Sequence, residues 1–86
     1  MNTFMLTISS PDGNLFKGKA VKLSLRGIGG DLAILPRHVS FVTAALPGEI
    51  RILLPDGSET HFRIDGGILT VSPSSAELLT STMATI

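Results

Sequence analysis

IRILLPDGSETHFRI, residues 50–64, decides the fold class. Two alternating runs flank a turn tripeptide. In the first, Ile50, Ile52 and Leu54 form a bulky set on one side. In the second, Thr60, Phe62 and Ile64 alternate with Glu59, His61 and Arg63. Successive side chains of a strand point to opposite faces, so a period of two marks half-buried strands. Between the runs, Pro55-Asp56-Gly57 is a turn signal, with glycine supplying a positive φ and aspartate tolerating one. The stretch predicts a β-hairpin.

The same period extends outward. Phe4, Leu6 and Ile8 share a face, as do Val21, Leu23 and Leu25 opposite Lys22, Ser24 and Arg26. Breaks at Pro11-Asp12-Gly13, 27–31, Pro47-Gly48, 65–67 and 73–75 recur every ~8–12 residues, the spacing of a sandwich or barrel. No segment carries a sustained helical stripe. Residues 75–82 come nearest, but Thr80, Ser81 and Thr82 are poor helix formers, and the segment reads as a last strand. The expectation is one all-β domain over residues 1–86.

Composition narrows the function. At 86 residues the chain is one domain's worth, burying about 60–65% of the surface its unfolded form exposes. Seven basic residues balance seven acidic ones, so charge gives no reason to expect nucleic acid or an anionic membrane surface. Cysteine is absent, which removes disulfides and thiolate chemistry and favours an intracellular location. No apolar run approaches ~18 residues, and the first residues lack the pattern of a signal peptide. Tyr and Trp are missing and Phe numbers four, leaving few platforms for stacking bases or sugars.

Catalytic patterns are equally sparse. The two histidines, His38 and His61, have no close-spaced ligand partner of the kind a metal site needs. His61 falls on the polar face of its strand and reads as solvated. Ser40 lies two residues from His38, but no G-x-S-x-G elbow accompanies it. Asp12, Asp31, Asp56 and Asp65 sit in glycine-rich turns, where aspartate usually binds its own backbone. The glycines at 27, 29 and 30 precede Asp31 and an apolar strand, not a helix, so a phosphate cradle is not expected. No catalytic, cofactor or metal residue is assigned, and no small-molecule substrate is expected. Surfaces remain: Met5, Val39, Leu53 and one of Leu78/Leu79 fall on outer faces, and a contiguous apolar patch would mark an interface. A generic β-sandwich module for proteins or peptides is one reading.

A resemblance favours another. The string LSLRGIGGDLAILPRH, residues 23–38, resembles the ε subunit of bacterial F-type ATP synthases, called δ in mitochondria. Similarity continues through Thr43 and LPGEIRI (46–52), through GGILTV (66–71) with Pro73, and through LTIS (6–9) and Phe16-Lys17-Gly18. Ala33 and Arg37 stand where that family usually has glycine, and Ser40 where proline is common. The resemblance implies a flattened β-sandwich of about ten short, mostly antiparallel strands. It implies a non-catalytic subunit of the central stalk, coupling c-ring rotation to the γ subunit in proton- or sodium-driven ATP synthesis. Such a subunit is held peripherally, within the complex, on the cytoplasmic face of the bacterial membrane. By position, Arg26, Gly27, Ile28, Gly29, Gly30 and Asp31 would face the c-ring. Ser10, His38, Val39, Ser40 and Thr43 would face γ. The helical hairpin that follows the sandwich in most members lies beyond the matched residues, and none of its nucleotide-binding motif is expected in this chain.

Overall fold

The computed structural model describes residues 2–37 and 39–85. Among them are ten strands: β1 (Phe4–Ser10), β2 (Gly13–Ala20), β3 (Lys22–Gly27), β4 (Gly30–Ile34), β5 (Phe41–Ala45), β6 (Gly48–Leu53), β7 (Glu59–Ile64), β8 (Gly67–Ser72), β9 (Ser75–Leu79) and β10 (Met83–Thr85). The 50–64 stretch forms the predicted hairpin, with Ile50 opposite Phe62 and Ile52 opposite Thr60. Leu54 donates its N–H to Ser58 (2.8 Å), Gly57 donates to Leu54 (3.0 Å), and Gly57 has φ 90. This is a three-residue loop closed by a left-handed glycine.

The strands form two five-membered layers, β4-β3-β6-β7-β10 and β5-β8-β9-β1-β2. They meet where β3 reaches β5 through the pair Gly27–Ala45, and backbone bonds from Ile28 to Ala44 and from Leu46 to Arg26 extend the seam. Every pairing is antiparallel except β1 with β9. The inward sets meet between the layers. Phe4, Leu6 and Ile8 from β1, Leu23 and Leu25 from β3, Ile50 and Ile52 from β6, Leu69 and Val71 from β8, and Leu78 from β9 are all buried. Phe16, Phe41, Leu54 and Phe62 pack against their margin. Burying an apolar side chain of this size is worth ~1.5–3 kcal/mol, which is how so short a chain holds two layers together.

Two expectations are corrected. The segment 75–82 is not one strand: β9 ends at Leu79, and after a break at 80–82 a tenth strand pairs with β7. Thr80 causes the break. It is buried, and its hydroxyl lies 2.6 Å from the Gly66 carbonyl and 3.2 Å from that of Thr82. Asp31 is not a turn aspartate. It belongs to β4 and sits opposite Arg26 of β3, because only Ile28 and Gly29 form the turn.

Candidate docking surfaces

Register determines what each layer shows outward, because directly paired residues share a face. On the first layer, Glu49 pairs with Arg63, Arg51 with His61, Leu53 with Glu59, and Arg26 with Asp31. This outer face is charged. Arg26 Nε donates to Asp31 Oδ1 at 3.2 Å. His61 lies between two carboxylates, with Nδ1 2.7 Å from Glu49 Oε2 and Nε2 2.9 Å from Glu59 Oε1. Hydrogen bonds to Glu59 and then Glu49 raise its pKa above the ordinary 6.5. His61 is therefore bridged across the hairpin, not merely solvated. Among the described residues no group of His, Asp and Glu is arranged to hold a metal ion.

The second layer differs. One outward row runs Ala44–Ile68–Leu79–Ser9 and the next runs Val42–Thr70–Glu77–Thr7. Val42 is 67% exposed, Ile68 48% and Leu79 56%. Ile28, 74% exposed at the tip of the β3–β4 hairpin, continues this apolar face, since its N–H bonds to Ala44 at 3.2 Å. An open groove of ≈ 580 Å³ borders the Leu79 end, lined by Ser9, Ser10, Asp65, Gly67 and Ser81 among others.

The residues singled out by resemblance distribute over these features. Arg26, Ile28, Gly29, Gly30 and Asp31 form one projecting hairpin. Gly30 has φ 124, outside the range L side chains favour. Gly27 is buried, and a Cβ there would strike the Leu32 side chain. Val39 and Ser40 are exposed on the approach to β5, whereas Thr43 is half-buried opposite Leu69. Ser10 lies apart, because β8 and β9 separate β1 from β5. There it caps the first turn, accepting the Asp12 N–H at 3.2 Å. His38 lies outside the described residues. Val42 and Ile68, the most central residues of the apolar face, were not singled out. A two-sided signal existed: Ile68-Leu69 and Phe41-Val42 put apolar residues on both faces of their strands.

A sandwich with one charged and one apolar outer face is a small all-β domain suited to seating a partner. The chain belongs to the family of the ATP synthase delta/epsilon chain β-sandwich domain, whose model matches residues 3–86. An ATP synthase epsilon chain from Delftia acidovorans is 39% identical over 82 residues, covering 95% of this chain and 59% of that protein. One from Verminephrobacter eiseniae is 38% identical over the same shares. The chain thus spans about three-fifths of the length of these relatives. Among solved structures, a chain of the Euglena gracilis mitochondrial ATP synthase (OSCP/F1/c-ring) superposes with TM-score 0.92 at 18% identity, covering 99% of this chain and 54% of that one. A chain of the Tetrahymena thermophila mitochondrial ATP synthase central stalk/c-ring gives 0.78 at 15% identity, covering 93% and 64%. At such identities the likeness is one of fold.

Proposed function

We propose that this domain is a non-catalytic part of an ATP synthase rotor, joining the c-ring to the γ subunit of the central stalk. The observation that carries the reading is the continuous apolar outer face of Val42, Ala44, Ile68 and Leu79, in a chain of the delta/epsilon family. The charged layer opposite has no comparable apolar strip. A torque-bearing joint needs a poorly solvated contact of at least ~1,200–2,000 Å², and in this reading the apolar strip lies at its centre. In this reading γ covers the apolar face together with Val39 and Ser40, and the hairpin 26–31 meets the c-ring loops. The Asp31 carboxylate steers and registers that contact more than it strengthens it. The domain is then peripheral to the membrane, on the cytoplasmic side in a bacterium, and follows proton or sodium flow without chemistry of its own.

Co-expression with a matched γ subunit tests this. The wild-type chain is expected to co-purify with γ, and Ile68→Asp is expected to abolish capture while circular dichroism and melting stay near wild type. No capture of the wild type, or undiminished capture of Ile68→Asp, refutes the reading.

A further inference from the structure

The corner between β4 and β5 holds Arg37 at φ 65, and it is the non-glycine residue of positive φ among those described. The left-handed region crowds the Cβ of an L-residue, and glycine occupies it without that penalty. Arginine gains nothing locally to offset this. Its side chain is exposed, and no ion pair joins it to any described residue. The backbone, by contrast, is firmly tied. The Arg37 N–H bonds to the Pro73 carbonyl at 2.9 Å, and the next residue of that turn, Ser74, accepts the Met5 N–H at 3.0 Å. The corner, the β8–β9 turn and the start of β1 are thus laced together at one end of the second layer.

We infer that Arg37 is a recognition residue, whose guanidinium receives a carboxylate of the protein partner seated on the apolar outer face. Charge complementarity supports an acidic partner. The outward row at this end runs Ser72–Ser75–Met5–Lys19, so Arg37 and Lys19 make the rim positive. In the next row Glu77 and Lys17 flank Thr7 and offset each other. Exposed Leu35 and Val39 lie on either side of Arg37 in the chain. A planar guanidinium beside apolar surface is well suited to bind a carboxylate in bidentate fashion as water is excluded. A residue that strains the free domain and has no ion-pair partner among the described residues is explained by a contact made in the complex.

The inference rests on the proposed γ reading and is tested separately from it by titrating the 86-residue chain with purified γ. R37G is expected to bind about tenfold more weakly, while its melting temperature stays at or above that of wild type. R37K, which keeps charge without the planar fork, is expected to lose less, and R37E more. Added salt should weaken wild-type binding more steeply than R37G binding. If wild type binds and R37G matches it, Arg37 is no recognition residue and this inference alone falls. If R37G melts below wild type, the strain argument falls. If wild type does not bind γ, the earlier reading falls with it.

Discussion

His61 is the residue whose charge state the sheet most visibly controls. Its ring spans from Glu59 on its own strand to Glu49 on β6, and both contacts favour the imidazolium. Arg51, its register partner, and Arg63 on the same strand also face it and oppose that charge. The net shift is upward, the hydrogen bonds to Glu59 and Glu49 outweighing the burial that opposes the charged form. A pKa raised on folding means the folded state binds the proton more tightly than the unfolded chain. The associated stability is fully present below pH 6.5 and is lost as pH rises through the raised folded value. The melting temperature should therefore fall as pH rises from below 6.5 through the raised folded value, and His61→Gln should flatten that fall. A mutant melting curve as pH-sensitive as wild type would count against the bridge. At the other end of the molecule, the left-handed Arg37 costs ~1–2 kcal/mol, the same order as any single surface interaction here.

Gly67 shows how an element boundary depends on close approach. It opens β8, pairs with Ala45, and lies so close to the β9 backbone that a Cβ would overlap the Leu79 carbonyl. Backbone on the far side cannot yield as a flexible side chain would. Gly67→Ala is expected to cost at least the ~1–3 kcal/mol typical of overpacking, read as a lower urea midpoint. A midpoint equal to wild type would mean that β8 and β9 are less tightly joined than the structure has them. This joint also explains what was legible in the chain. The β6–β7 hairpin could be read outright, because its inward set alternates and its turn residues match their dihedral needs. The break after β9 could not, because it depends on Thr80 bonding to Gly66, fourteen positions away. Nothing local distinguishes that threonine from one inside a strand. β2 was muted for another reason. Its inward set is Phe16, Gly18 and Ala20, opposite Ile8, Leu6 and Phe4, so two of the three positions are too small to register as an apolar stripe. The docking face was legible only in part, since an outward apolar residue shows no pattern until register aligns it with its neighbours.

At the scale of the whole molecule, the two outer faces set its behaviour in solution. Formal charge sums to zero at pH 7, so mutual repulsion does little to keep copies apart. The charges are also unevenly spread: of those borne on strands the first layer carries the greater part outward, while Val42, Ile68 and Leu79 leave the second with an apolar strip. A strip of this kind favours association when no partner covers it. The isolated domain should therefore self-associate as its concentration rises, through the second layer. Because the contact is apolar, added salt should not disperse it, whereas pairing through the charged layer would weaken by screening. Ile68→Lys places a charge at the centre of the strip and should hold the domain monomeric, with melting changed by no more than about 0.5 kcal/mol as for other surface substitutions. Sedimentation velocity across a concentration series, at low and high salt, separates the cases. Association that persists in Ile68→Lys, or dissolves in salt, would move the sticky surface to the charged layer and remove the physical basis for seating γ on the other.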